Sequence, residues 1–345
     1  MNAAPSLFSS AEIPQVSVII AAYNCSGYLA SAIESALLQK DLILEVLVVD
    51  DASTDGTAAI AHDYEKTGRV RLLVNEVNRG PSFSRNRAIQ AARGEWVAQL
   101  DGDDWFAPFR LVKLLQIAVA TQADFVADDL FLVDDCTLKT ISTRFLDNGV
   151  TWKKAHVLTP NDLVKYDLGS IKPLVRRSFL LEHALRYEEN VKYGEDFLLI
   201  LRAMLVGARI IVLPEPMYHL RRGNTGSLTT QRCQLFRQIE MTTRQLLANP
   251  EISIHTDVAG ALKKRLVFIQ RMSRLQEIAG LIKRKKIPSV FTKLLLDPIL
   301  LITLLARLPT MISMRLRRHM HHKKLYPSFP PPVPSTEPAS INVLR

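Results

Sequence analysis

The chain has 345 residues, enough for one large or two ordinary domains. Its 48% hydrophobic and 23% charged content is that of a globular protein and excludes a disordered one. Three cysteines, Cys25, Cys136 and Cys233, show neither CxxC spacing nor even pairing, so they suggest no disulfide frame and no zinc site, and they suit a reducing compartment. The net charge of +10 divides unevenly. Residues 231–345 carry 20 Lys and Arg against 6 Asp and Glu, leaving 24 against 28 in residues 1–230. A mildly acidic front and a strongly basic back point to two different jobs.

Residues 1–15 carry no Lys, Arg or apolar run, so this N-terminal tail does not read as a signal peptide. Residues 16–22, Val-Ser-Val-Ile-Ile-Ala-Ala, predict a buried strand, and 28–38 has helical spacing of apolar residues. A second buried strand is expected at 44–49, a short helix at 57–64, a third strand at 70–74 and a helix at 84–93. Trp96 to Asp101 then reads as a fourth strand. Residues 111–119 look helical, 125–127 and 131–133 look like two strands, and 160–230 mixes short helices with strands. Strands that are nearly continuous apolar runs, alternating with helices, predict an α/β fold with a mainly parallel sheet covered on both faces. In such sheets ligands bind beyond the carboxyl ends of the strands. Three polar clusters fall at those ends: Tyr23-Asn24, Asp50-Asp51 and Asp101 to Asp104.

The last cluster, Asp101-Gly102-Asp103-Asp104, places three carboxylates within four residues, and close like charges repel unless a cation intervenes. Mg²⁺ or Mn²⁺ would relieve that repulsion, taking one or two carboxylates and completing its shell with phosphate oxygens and water. The plain alternative is a solvated acidic turn. The first strand–helix turn has a single Gly, so GxGxxG is missing, and no GxxxxGK[ST] occurs. A bound nucleotide would therefore be held by side chains and a metal. Asp51 could accept from a pyrimidine N–H or ribose hydroxyl, whereas Asp55 or Ser53 could cap the next helix and Asp50 could form an Asx turn. Arg85 opens a helix and could reach a base or phosphate, or pair with a carboxylate. Glu195-Asp196 precedes an apolar helix: either a dipole-favouring start or the seat of a general base. Tyr218-His219 and Arg221-Arg222, followed by Gly226-Ser227, could hold a diphosphate.

In order and spacing these residues resemble the family 2 glycosyltransferases of the GT-A fold. The resemblance runs over residues 16–230 and rests on Val16 to Asn24, Val48 to Thr57, Asn78-Arg79-Gly80 with Ser84-Arg85-Asn86, Leu100 to Asp104, Gly194-Glu195-Asp196, and Tyr218 to Ser227. Among subgroups it is similar to bacterial exopolysaccharide assembly enzymes of the succinoglycan type. The resemblance implies that Ala21, Tyr23 and Asp51 line a uridine pocket, with Arg85 near the base or diphosphate. It also implies Asp101 and Asp103 as the DxD pair with Asp103 the direct metal ligand, and Asp196 as base with Glu195 beside it. Arg221 and Ser227 would lie on a flexible segment over the diphosphate. Ala21 stands where relatives often carry Thr, and Asn224-Thr225 is inserted before Gly226-Ser227. The implied reaction is an inverting, metal-dependent hexosyl transfer from a nucleotide-sugar donor, UDP-glucose for example, to a lipid-linked oligosaccharide acceptor. A nucleotidyltransferase is the rival enzyme class, and a non-catalytic membrane scaffold the rival outside enzymology.

In the basic region 231–326, Lys263-Lys264-Arg265 and Lys283-Arg284-Lys285-Lys286 alternate with apolar stretches. The longest clean apolar run in 294–312 covers residues 299–306, far below the ~20 residues a spanning helix needs. This pattern predicts a peripheral helix on an anionic membrane surface, at the cytoplasmic face; the alternative is a helical extension packed on the catalytic domain. Without aromatic interleaving, nucleic acid is not the expected partner. Residues 327–345, with Pro330-Pro331-Pro332-Val333-Pro334, read as a Pro-rich disordered or polyproline tail.

Overall fold

The computed structural model describes residues 14–191, 193–223 and 232–283, together with 288, 292 and 329–333. The front half runs β1 (Val16–Ala22), α1 (Leu29–Leu37), β2 (Leu44–Asp50), α2 (Thr57–Lys66), β3 (Arg71–Val74), α3 (Pro81–Ala91) and β4 (Trp96–Asp101). There follow β5 (Trp105–Phe106), α4 (Arg110–Thr121), β6 (Phe125–Asp134), β7 (Thr140–Thr143), α5 (Arg144–Asn148), β8 (His156–Val157) and α6 (Pro160–Lys165). Then come β9 (Leu174–Arg176), α7 (Arg177–Glu182), α8 (Glu195–Leu205) and β10 (Ile210–Arg222), and last α9 (Arg232–Ala248), α10 (Pro250–Ser253) and α11 (Thr256–Lys283).

The strands form one mixed sheet ordered β3-β2-β1-β4-β9-β6-β10-β5, with β7 on β6 and β8 on β10. The pairs β1–β2, β1–β4, β2–β3 and β6–β10 are parallel; β9 enters antiparallel between β4 and β6. The α/β expectation therefore holds, as a mostly parallel sheet with antiparallel insertions. Register brings the polar clusters together, because Ala21 lies opposite both Val49 of β2 and Asp101 of β4, and Ala22 lies opposite Asp50. Apolar side chains pack both faces of the sheet: Val18, Ile20 and Leu100 on one, Ile19, Val49 and Val97 on the other.

One strand differs from the expectation. Residues 125–127 and 131–133 belong to a single strand, β6, that runs through Asp128 and Asp129. Two acidic residues in mid-strand argue for a break, but here each has partners. Arg110 of α4 holds Asp128 with its Nε and Nη2, the latter at 2.7 Å, with both residues fully buried. Asp129 accepts the Leu130 and Phe145 backbone N–H groups at 2.7 and 2.8 Å. Burial pushes the Asp129 carboxyl up to about 7. Its folded-state value exceeds the unfolded one, so its contribution is fully present below about pH 4 and is lost as pH rises through 7. Asp129→Asn keeps the acceptor oxygen. It is expected to flatten the fall in unfolding free energy between pH 5 and 8 by about 2 kcal/mol. Urea denaturation at both pH values checks this; equal slopes in the two proteins would refute it.

The C-terminal helices pack on the α8 side of the core. Leu246 of α9, Ile252 of α10 and Val258 and Leu262 of α11 are buried in the same core as Phe197, Leu198 and Leu201 of α8. Arg265 lies over the Phe197 ring, 3.4 Å from its centroid. Each such buried apolar side chain is worth roughly 1.5–3 kcal/mol. Residues 232–283 thus pack on the domain and brace the helix that begins with Glu195-Asp196. No helix among the described residues is long and apolar enough to cross a membrane. Of the basic region, 231, 284–287, 289–291 and 293–326 lie outside the described residues, as do 1–13 of the N-terminal tail and 327–328 and 334–345 of the Pro-rich tail.

Candidate active site

The DxDD turn is tied at both ends. The Asp104 N–H bonds the Asp101 carbonyl at 3.0 Å. The Tyr218 hydroxyl of β10 accepts from the Asp101 N–H at 3.1 Å and donates to Asp104 Oδ2 at 2.8 Å. Asp104 Oδ1 accepts the Arg221 N–H at 2.8 Å, so its carboxylate is spent inside the protein. Burial, then the charges of Asp103 and Asp101, push the Asp104 carboxyl well above its usual range. A Cβ at Gly102 would stand 2.9 Å from the Cys25 Sγ, so any larger residue there forces the Cys25 side chain to move. Arg221 Nε donates to the Asp103 carbonyl at 2.6 Å and Nη1 contacts Asp135 Oδ1 at 3.3 Å. Arg221 therefore belongs to a strand and is pinned by three partners, contrary to its expected place on a flexible segment. Ser227 and the Asn224-Thr225 insertion lie outside the described residues.

Behind the turn two cations hold three carboxylates. Arg85 of α3 donates to Asp101 Oδ1 at 3.0 Å and to Glu195 Oε1 at 2.9 Å, with Asp196 Oδ1 at 3.7 Å. Lys172 Nζ sits between Asp101 Oδ2 at 2.9 Å and Asp196 Oδ2 at 3.0 Å. Burial opposes charge on Arg85, but Asp196, Asp101 and Glu195 hold its guanidinium protonated well above its ordinary value. The Lys172 ammonium is likewise disfavoured by burial and raised by Asp101 and Asp196. For Asp101, burial pushes the carboxyl up, but Lys172 and Arg85 hold it well below the carboxylate range. Burial and the adjacent Asp196 push Glu195 up. Arg85 thus serves the acidic cluster, with both terminal nitrogens engaged there, as the carboxylate-pairing alternative expects. Asp196 Oδ1 is buried and makes no hydrogen bond.

The β1–α1 and β2–α2 loops are laced together beside this cluster. Asn24 N–H bonds the Ser53 hydroxyl, Cys25 N–H the Thr57 hydroxyl, and Ser26 N–H the Asp55 carboxylate, at 2.8–3.1 Å. Asp50 accepts the Ser53 N–H at 3.2 Å, as the Asx-turn reading expects, whereas the N-cap of α2 is Gly56, so neither Asp55 nor Ser53 caps the helix. Asp55 accepts the Thr57 N–H at 2.9 Å from the residue before the cap. Against the effect of burial, the bonds from Thr57 and Ser26 draw Asp55 down to about 2. Asp51 is buried, and its carboxylate accepts from Asn75 Nδ2, Arg79 N–H and Gly80 N–H at 2.7–3.0 Å. Of a carboxylate's roughly four acceptor positions, one remains for a ligand. Tyr23 is half-exposed at the end of β1, next to partly exposed Ala21.

The family profile described as Glycosyl transferase family 2 matches residues 17–179. The succinoglycan biosynthesis protein ExoU of Rhizobium meliloti is 34% identical over 254 residues, 71% of this chain and 72% of that protein. The chain belongs to glycosyl transferase family 2. ExoO of the same organism is 35% identical over 229 residues, but the chain spans only 63% of its length. Among solved structures, this glycosyltransferase is similar in fold to Staphylococcus aureus TarS 1–349 in complex with UDP-GlcNAc. The TM-score is 0.61 and the identity 22%, over 74% of this chain and 73% of that one. It is also similar to the Pyrobaculum calidifontis mannosyltransferase PcManGT in complex with GDP-Man and Mn²⁺, with a TM-score of 0.54 and 17% identity over 91% and 88% of the two chains.

Sequence reasoning missed Lys172 in this glycosyltransferase. Its signal was a single charge inside the otherwise apolar stretch Ile171-Lys172-Pro173-Leu174-Val175, which calls for a buried partner. The side chain is placed from its own backbone, because Arg110 Nη2, while bound to Asp128, also donates to the Lys172 carbonyl. His219 is buried between the Trp105 and Phe131 rings, and burial pushes it down to about 3, so it is a neutral packing residue. The donor set can be tested for Mg²⁺ or Mn²⁺. No group of three or more His, Cys, Asp or Glu that could hold a metal occurs among the described residues. Asp101 and Asp104 have their oxygens engaged, whereas Asp103 is only partly buried on the same turn. A metal shared with phosphates needs one or two protein carboxylates, so the turn fits a metal–diphosphate and not an all-protein cage.

Proposed function

We propose that this glycosyltransferase moves a sugar from a UDP-linked donor to a lipid-linked saccharide, with inversion, in bacterial exopolysaccharide assembly. The observation that carries the reading is the state of Asp196. Lys172 holds one carboxylate oxygen, while the other, buried and 3.7 Å from Arg85 Nη1, makes no hydrogen bond. An incoming hydroxyl would satisfy that oxygen. The acceptor O–H then gives its proton to Asp196 as its oxygen bonds to the anomeric carbon and the bond from that carbon to the diphosphate oxygen breaks. Direct displacement inverts the centre, so an α-linked donor gives a β-linkage. Asp103, with Asp101 orienting the turn, would hold Mg²⁺ or Mn²⁺, which when bound supplies charge to the departing diphosphate. Tyr23, Ala21 and the remaining acceptor position of Asp51 would receive the nucleoside, with Arg221 fixing the DxDD turn.

The succinoglycan relatives support the assembly role, and the UDP-GlcNAc and Mn²⁺ complexes of fold neighbours support a nucleotide-sugar with a metal. Lys263, Lys264 and Arg271 are exposed on α11 with Val267 and Phe268 between them, which supports a peripheral place on an anionic cytoplasmic-face membrane. Flotation with anionic liposomes tests that part; no binding of the full chain would exclude it.

The donor reading is tested by thermal unfolding with UDP, with Mn²⁺, and with both. Together they are expected to stabilise the chain by about 2.7 kcal/mol at a hundredfold excess over the dissociation constant. Asp103→Ala is expected to lose the metal-dependent share and keep its unliganded melting temperature. Equal stabilisation of both proteins by UDP with Mn²⁺ would remove Asp103 from its role.

A further inference from the structure

Trp105 follows the DxDD turn directly and is 1% exposed. The His219 ring stacks on it with centroids 4.8 Å apart and planes 8° from parallel, and the Arg221 guanidinium lies 4.7 Å from its centroid. What remains is the indole N–H, a donor with no second role. It donates to the carbonyl oxygen of Phe329 at 3.0 Å, a residue 224 positions away in the Pro-rich tail.

We propose that the Trp105 edge is the docking site for the chain's own segment 329–333, and that this strap braces the metal-side turn of the active site. The segment reads Phe329-Pro330-Pro331-Pro332-Val333 and has no regular secondary structure. Its three prolines fix φ and lack N–H groups, so the strand of chain is stiff and presents carbonyls that it cannot satisfy itself. Little ordering entropy is lost when such a segment docks, which is why Pro-rich stretches are taken up by aromatic-lined surfaces. Pro331 and Pro332 are partly buried, while Phe329, Pro330 and Val333 are exposed, so the segment touches the protein along one side.

The consequence runs through Arg221. Its guanidinium lies over Trp105, its Nε holds the Asp103 carbonyl and its backbone N–H holds Asp104. Without the tail segment the indole edge of Trp105 opens to water, and the cover over Arg221 loosens. The tail, read from sequence as a disordered or polyproline appendage, thereby acts on the turn that carries the DxD pair.

The test uses the full-length chain labelled with 5-fluorotryptophan. There are three tryptophans, and the Trp105 signal is assigned with Trp105→Phe. Pro330→Gly, Pro331→Gly and Pro332→Gly are combined in one variant, with Pro338→Gly as control. The triple variant is expected to shift the Trp105 fluorine signal, leave the Trp96 and Trp152 signals in place, and weaken UDP–Mn²⁺ binding about tenfold, the scale of one hydrogen bond. A synthetic peptide of residues 327–335 added in excess should restore the signal. An unmoved Trp105 signal overturns the docking, and a moved signal with unchanged UDP affinity overturns the bracing. Dependence of the wild-type signal on protein concentration would assign the contact to a second copy and overturn the intrachain strap. The fluorine readout needs no nucleotide, so it decides the docking even where the wild-type chain binds no UDP and the donor reading fails.

Discussion

Asp196→Asn is expected to lower sugar transfer at least ~100-fold, the lower end of what a positioned general base contributes. The substitution changes shape very little. Asn keeps an oxygen toward Lys172 Nζ, now 3.0 Å from Asp196 Oδ2, and α8 remains seated through Phe197, Leu198 and Leu201. Donor binding should therefore persist within a few-fold, and unfolding free energy should stay near the wild-type value. What disappears is the capacity to take the acceptor's proton. Initial rates of the purified variant with donor and lipid extract, beside UDP affinity on the same sample, separate the two effects. A near-normal rate would strip Asp196 of the base role. Loss of UDP binding in parallel would mean that it shapes the donor site instead.

Lys172→Met is expected to have the second largest effect, on both stability and rate. The ammonium neutralises Asp101 and Asp196 together, and its removal leaves Arg85 alone facing Asp101, Glu195 and Asp196. Removing one partner of a buried pair costs about 3–5 kcal/mol, and the lower end applies because Arg85 still binds Asp101. The pH dependence fixes the sign. Asp101 is held below the usual carboxylate range in the folded protein, so its stabilising share is present above the unfolded pKa and is lost as pH falls. The deficit of Lys172→Met should accordingly be full from pH 7 down to about pH 4 and shrink as pH falls below about 4 in urea denaturation. Transfer should fall about 100-fold as Asp196 loses its anchor, the scale of a misplacement of about 1 Å. Equal stability of the two proteins at pH 7 would show that Lys172 carries no share of the cluster's balance.

The two residues were not equally legible beforehand. Asp196 lies in Gly194-Glu195-Asp196 at a helix start, a local pattern visible in a window of a few residues. Lys172 acts only through carboxylates 71 residues before and 24 residues after it, and no local periodicity encodes such a contact. Strand β6 makes the same point. Asp128 and Asp129 interrupt its apolar pattern and read locally as a break, whereas Arg110 and the Phe145 N–H, supplied from elsewhere, let the strand continue. The basic helices had two locally equivalent readings, since an apolar stripe faces lipid or protein alike; the α8 core takes the buried stripe of residues 232–283, and the exposed face of α11 is a separate surface.

By itself the sequence determined the alternating strands and helices, the parallel central sheet and the three polar clusters at one edge. Those features depend on side-chain periodicity and on loops that must begin where a strand ends. The tertiary structure alone decided how the carboxylates differ. Asp104 is consumed by Tyr218 and Arg221, Asp101 by Arg85 and Lys172, and Asp103 is left only partly buried on the same turn. Identical side chains within four residues take different roles because charge, burial and partners arrive from distant elements, and the strength of an ion pair depends on that three-dimensional surrounding.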